Sequence, residues 1–60
     1  MPLITVKLHE GRSTEQKREL VRVFTAETVR VLQCPVAAVE VIFEDVKKSD
    51  WAKGGKLASD

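Results

Sequence analysis

Apolar and polar residues alternate along the first segment of the chain, residues 3–8. One face of this segment carries Ile4, Val6 and Leu8, and the other carries Leu3, Thr5 and Lys7. A period of two with β-branched side chains predicts a β-strand. The glycine that follows at position 11 suits a turn. We therefore predict that the strand ends within residues 10–12.

The next segment has the pattern of a helix. Ser13 and Gln16 have the spacing of a capping box, in which each side chain accepts a hydrogen bond from the other residue's backbone amide. Apolar residues then recur in a wide stripe made of Leu20, Val21, Val23, Phe24, Ala26 and Val31. Because the residue before a proline disfavours helical geometry, Cys34-Pro35 ends the pattern. We predict a helix from Ser13 to about Gln33.

Alternation returns after the proline and predicts a second strand over residues 39–44. One face carries Val39, Val41 and Phe43, and the other carries Glu40, Ile42 and Glu44. Two strands joined by a helix predict a parallel β-α-β unit, and Gly54-Gly55 predicts a tight hairpin turn. The expected fold class is thus α/β: one β-α-β domain over residues 1–60 with a C-terminal hairpin.

Composition excludes several classes of protein. Ten Lys and Arg against nine Asp and Glu leave a formal charge of +1, so there is no basic excess for nucleic acid. No apolar run approaches the roughly 18 residues of a membrane span, and the N-terminus lacks the pattern of a secretory signal. One cysteine, Cys34, supports neither a disulfide framework nor a zinc site. We therefore expect a cytoplasmic protein without a metal.

The small size of the chain predicts an assembly. A 60-residue domain buries only about 60% of its unfolded surface and is marginally stable alone. Two strands and one helix also leave open strand edges and a half-apolar sheet face. Subunits that join their sheets would cover both features.

Several residues together carry a family resemblance. Met1-Pro2 precedes the first strand, the run EGRSTEQK occupies residues 10–17, and Trp51 and Gly54-Gly55 follow the second strand. This combination resembles the 4-oxalocrotonate tautomerase family. The resemblance implies a β-α-β tautomerase fold, a homohexamer built as a trimer of dimers, and cofactor-free keto–enol tautomerisation of a small anionic 2-hydroxydienoate or 2-oxo acid.

The resemblance also implies roles for individual residues. Pro2 would be the catalytic base once Met1 is removed, Arg12 would bind and polarise the substrate, and Trp51 would form an apolar wall. These roles are chemically reasonable. A free α-amino group titrates at about 7.7–8.0, burial and nearby cations lower its pKa, and a base with a pKa near 7 works best at neutral pH. The planar guanidinium of Arg12 suits a carboxylate or an enolate.

One residue departs from the family pattern. Glu40 stands where family members with well-defined tautomerase activity carry a second arginine that contacts the substrate. A carboxylate there would repel a dianionic substrate, and near Pro2 it would raise the pKa of the amine. Glu40 is therefore a candidate substrate-contacting residue of reversed charge.

Three interpretations stay open on the sequence. The first is a homohexameric tautomerase with an altered substrate. The second is a hydratase- or dehalogenase-like relative, in which protonated Pro2 is the acid and Glu40 or Glu44, with His9, activates water. The third is one chain of a heterohexamer whose partner supplies the missing cation, or a non-catalytic subunit. Lys47, Lys48 and Lys53 are interpreted as solvated side chains, with the alternative that lysines near the mouth of a site steer an anionic substrate.

Overall fold

A computed structural model describes all 60 residues of the chain. Its main elements are strand β1 (Leu3–His9), helix α1 (Thr14–Leu32) and strand β2 (Glu40–Val46). A hairpin of β3 (Ala52–Lys53) and β4 (Lys56–Leu57) follows. Two short 3-10 turns, Val36–Ala38 and Lys48–Asp50, lie on either side of β2. The predicted β-α-β fold and C-terminal hairpin are confirmed.

Strands β1 and β2 pair in parallel along their whole length, from Leu3 opposite Glu40 to His9 opposite Val46. Backbone hydrogen bonds continue past both ends of the ladder. The Glu40 amide donates to the Pro2 carbonyl at 2.9 Å, and the Glu10 amide donates to the Val46 carbonyl at 3.0 Å. Because the ladder is continuous, β1 is one residue longer than predicted. Strand β2 begins one residue later and ends two residues later than predicted.

Helix α1 begins with the predicted capping box and ends close to the predicted position, at a left-handed residue rather than at the proline itself. The Gln16 amide donates to the Ser13 hydroxyl at 3.1 Å, and the Ser13 amide donates to the Gln16 side-chain oxygen at 3.0 Å. At the other end Gln33 adopts a left-handed conformation with φ 55°, and its amide donates to the Val29 carbonyl. A left-handed residue stops the helical hydrogen-bond pattern.

Ion pairs cover the solvent face of α1 and link the helix to the sheet. On the solvent face, pairs spaced three residues apart join Glu15 to Arg18, Glu19 to Arg22 and Glu27 to Arg30. The hydrogen bonds from Arg22 lower the pKa of the Glu19 carboxyl, and the same contact raises the pKa of Arg22. A longer-range pair joins Lys17 of α1 to Asp45 of β2 at 2.6 Å.

The sheet covers only part of the apolar stripe of α1. Leu20 and Phe24 are half-buried, but Val21, Val23 and Val31 are exposed, and so is Ala26. A sheet of only two strands is too narrow to cover a wide stripe. Only part of the predicted wide apolar stripe is therefore covered in the single chain.

The single chain has no closed core. None of its 60 residues is buried, and its accessible surface is 4752 Å², against about 3,900 Å² for a compact protein of this mass. Its radius of gyration of 14.4 Å exceeds the roughly 10 Å of a compact 60-residue domain. On the sheet face opposite the helix, Leu3 and Ile42 are exposed.

None of the helices has the length and apolarity that crossing a bilayer would require.

Candidate active site

Pro2 and Glu40 lie together at one end of the sheet, which we call the proline end. Pro2 immediately precedes β1 and is half-buried, and Glu40 is the exposed first residue of β2. The Glu40 amide nitrogen donates a hydrogen bond to the Pro2 carbonyl oxygen at a distance of 2.9 Å, which holds the two backbones together. Glu40 is therefore tied to Pro2 through the backbone, and the parallel register, with Leu3 opposite Glu40, places its exposed side chain at the proline end.

His9 and Trp51 lie together at the opposite end of the sheet, which we call the arginine end because Arg12 is there. The His9 and Trp51 rings stack with their centroids 4.4 Å apart and their planes 28° apart. The His9 Nδ1 atom has no hydrogen-bond partner and no contact with solvent. The Ala58 amide donates to the Trp51 carbonyl at 2.7 Å, which ties the stack to the C-terminal segment.

A recess of about 490 Å³ opens at the arginine end. Its lining consists of His9, Glu10, Gly11, Arg12, Lys48 and Ala58. The chain reaches it through a turn at Gly11, whose φ of 111° is a conformation that side-chain-bearing residues rarely adopt. Trp51 does not line the recess itself; it supports the ring of His9, which does.

Arg12 differs from the other arginines of the chain in having no carboxylate partner. Arg18, Arg22 and Arg30 each form an ion pair with a glutamate on α1, whereas no carboxylate lies within ion-pair distance of Arg12. An unpaired guanidinium that borders a recess presents its planar set of N–H donors to a ligand, and that geometry matches a carboxylate.

Lys48 is a recess-lining residue that the sequence pattern did not single out. It begins the 3-10 turn Lys48–Asp50, and that turn places it beside the same recess as Arg12. The hydrophobic pattern gives no sign of so short a turn. The sequence signal for it is the pair of lysines at positions 47 and 48, whose charge can steer an anionic substrate.

The structure does not bring Pro2 and Arg12 of one chain together. They lie beyond opposite ends of β1, whose seven residues span about 20 Å at the usual strand rise. An arginine side chain cannot reach across that distance. The remaining candidate, Glu44, lies opposite Lys7 in the strand ladder and belongs to neither end. No three His, Cys, Asp or Glu side chains cluster closely enough to hold a metal ion.

Comparison with known proteins identifies the family. The family model described as "Tautomerase enzyme" matches residues 2–60. The chain belongs to the tautomerase family. A probable tautomerase of Halalkalibacterium halodurans is 40% identical over 60 residues, which are 100% of this chain and 98% of the relative. The 2-hydroxymuconate tautomerase of Pseudomonas putida is 39% identical over 59 residues, 98% of this chain and 94% of the relative.

Solved structures of other tautomerases share the fold. A 4-oxalocrotonate tautomerase homologue superposes with a TM-score of 0.93 at 47% identity, covering 100% of this chain and 95% of its own. A heterohexameric 4-oxalocrotonate tautomerase from Chloroflexus aurantiacus also reaches 0.93, at 37% identity, covering 100% of this chain and 97% of its own. At these identities and coverages, the β-α-β unit with its hairpin is the tautomerase fold.

Proposed function

We propose that this tautomerase is a cofactor-independent isomerase that interconverts the enol and keto forms of a 2-hydroxydienoate or 2-oxo acid. The observation that carries the proposal is the unpaired Arg12 beside a recess, at the sheet end opposite Pro2. The 2-hydroxymuconate tautomerase of Pseudomonas putida, 39% identical, supports the choice of substrate class.

Pro2 is the proposed base. Its nitrogen is a secondary amine only after Met1 has been removed, since an acylated proline nitrogen has no basic lone pair. Met1 is 82% exposed, so an aminopeptidase can reach it. In the proposed reaction the Pro2 nitrogen takes the enol O–H proton while the double bonds shift. The same N–H then delivers that proton to a carbon of the conjugated system.

Arg12 is the proposed group that holds the substrate and stabilises its charge. Negative charge grows on the 2-oxygen as the enol proton leaves, and a preorganised cation is most effective where charge develops. The guanidinium can also hold a carboxylate with two parallel hydrogen bonds. Half-buried Trp51, through its stack on His9, is proposed to supply one apolar wall at this end.

The proposed site forms between chains. Because Pro2 and Arg12 of one chain lie about 20 Å apart at the usual strand rise, each proline needs the arginine of another chain. A two-fold axis that sets two sheets antiparallel would put the proline end of each chain beside the arginine end of its partner. We propose a homohexamer built from three such pairs, in the cytoplasm, with a heterohexamer, like that of Chloroflexus aurantiacus, as the alternative.

Glu40 narrows the proposed substrate class. Its carboxylate at the proline end repels a second negative charge, so we expect a substrate with one carboxylate, held at the arginine end.

The same position supports a second candidate function, a hydratase- or dehalogenase-like reaction. There Glu40 would take a proton from water while the water oxygen bonds to one carbon of the substrate double bond, and the protonated Pro2 would deliver its proton to the other carbon. With a 3-haloacrylate, the resulting halohydrin would then lose hydrogen halide to leave an aldehyde.

Two measurements on the purified protein test the proposal. The intact mass is expected to lack Met1, and the protein is expected to ketonise phenylenolpyruvate. Pro2→Ala should lower kcat/KM by about 100-fold, since general base catalysis contributes about 10²–10⁴, while the assembly keeps its size. An unchanged rate would contradict the role of Pro2. Turnover of 3-haloacrylates without ketonisation of either phenylenolpyruvate or 2-hydroxymuconate would favour the second function.

A further inference from the structure

We infer that Lys48 is a second anion-binding residue, which holds the substrate carboxylate together with Arg12. For the identity of the anion this inference rests on the proposed function; the existence of the anion site rests on the structure of the arginine end alone. The observation behind it is the presence of two unpaired cationic side chains on one recess.

The charges at the recess favour an anion. Of its six lining residues, Arg12 and Lys48 are cationic and Glu10 is the only carboxylate. Glu10 forms an ion pair with neither cation, because the ion pairs of the structure involve other residues. Two unsatisfied cations around a space of about 490 Å³ can therefore both turn toward a bound carboxylate.

The backbone around Lys48 is held in place. The Asp50 amide donates to the Lys47 carbonyl at 2.8 Å, and the Trp51 amide donates to the Lys48 carbonyl at 3.3 Å. Trp51 in turn stacks on His9 of β1. These contacts hold the 3-10 turn against the strand end, so the backbone of Lys48 already lies beside the recess before a ligand binds. Less conformational entropy is therefore lost on binding.

Lys47 is a matched control within the same chain. It carries the same charge and is also exposed, but it caps the 3-10 turn and does not line the recess. A non-specific attraction of anions by surface charge would depend on both lysines. Contact with a bound carboxylate would depend on Lys48 alone.

Trp51 provides a readout of binding that does not depend on catalysis. It is the only tryptophan, and the chain has no tyrosine, so the intrinsic fluorescence comes from one ring that contacts a recess residue. Titration with hexanoate at constant ionic strength should change this fluorescence, and hexanamide, which has the same carbon chain without the charge, should not. Lys48→Ala should weaken hexanoate binding by about tenfold, as expected for a lost charge-assisted hydrogen bond. Lys47→Ala should change binding by less than about twofold.

Kinetics on phenylenolpyruvate add a second readout. Lys48→Ala is expected to raise KM by about tenfold with kcat little changed, because the carboxylate is bound equally in the ground state and the transition state. Lys48→Arg should restore most of the affinity, and Lys48→Gln should not.

The possible outcomes separate this inference from the proposed function. Hexanoate binding that depends on Lys48 in a protein without tautomerase activity would support the anion site and contradict the function. Tautomerase activity with equal effects of Lys48→Ala and Lys47→Ala on binding would contradict the anion-binding role of Lys48. Absence of hexanoate binding in the wild-type protein would also overturn the inference.

Discussion

At the scale of the residue, charge pairing separates Arg12 from the rest of the chain. Glutamates three residues away neutralise the arginines of α1, and such exposed pairs contribute little to stability. Arg12 follows the turn at Gly11 and has no such partner. The sequence resemblance singled out Arg12, and the structure places it beside a recess. That Lys48 lines the same recess could not be predicted, because it depends on a three-residue turn.

Glu40 is the residue whose substitution tests the substrate class. We compare the ratio of kcat/KM for the dianion 2-hydroxymuconate to kcat/KM for the monoanion phenylenolpyruvate. Glu40→Gln should raise this ratio by about tenfold because it removes a repulsion of the second negative charge. Glu40→Arg should raise it further because it replaces the repulsion with an attraction. Steady-state kinetics with both substrates measure this ratio. Glu44→Gln, on the same strand but four residues further along, is the control. An unchanged ratio in Glu40→Arg would contradict this role of Glu40.

The same substitution has an expected effect on pH dependence. A carboxylate near the Pro2 amine stabilises its protonated form and so raises its pKa. Removing that charge in Glu40→Gln should lower the pKa of Pro2. Because the base must be unprotonated to act, the acidic limb of the pH profile of kcat/KM should move to lower pH. A limb that stays in place or moves to higher pH would show that Glu40 does not act on Pro2.

At the scale of the element, local chemistry determined what was predictable. The start of α1 was predicted because Ser13 and Gln16 cap it through contacts within four residues. The start of β1 was also predicted, but its last residue and both ends of β2 were displaced by one or two residues, because hydrogen bonds between Pro2 and Glu40 and between Glu10 and Val46 join residues far apart in the chain. The paired glycines of the hairpin, with φ of 60° and 83°, were again a local signal.

The cap of α1 makes a measurable contribution to stability. Ser13→Ala removes one acceptor for the orphan amides at the helix start and should lower the free energy of unfolding by about 1 kcal/mol. Urea unfolding at a fixed protein concentration measures this. Thr14→Ala, at the next position but without a side-chain hydrogen bond, should have a much smaller effect. Equal midpoints for the two variants would contradict the capping role.

At the scale of the whole molecule, the proposed assembly explains both the missing core and the separation of Pro2 from Arg12 at opposite ends of β1. No residue of the single chain is buried, so hydrophobic burial within the chain alone cannot stabilise the fold. The exposed apolar residues Leu3 and Ile42 lie on the open sheet face, and Val21 and Val31 lie on the helix. Chain length predicts the need for an assembly, and the separation of Pro2 from Arg12 by the length of β1 supports the proposal that each site forms between two chains.

Mixing of two inactive variants tests the shared site most directly. Pro2→Ala and Arg12→Ala proteins, each nearly inactive alone, are unfolded together in equal amounts, refolded and assayed with phenylenolpyruvate. If each site combines Pro2 of one chain with Arg12 of another, about one quarter of the sites in a random assembly contain both intact residues, and about a quarter of the wild-type activity should return. A mixture that stays as inactive as its two components would contradict a site shared between chains.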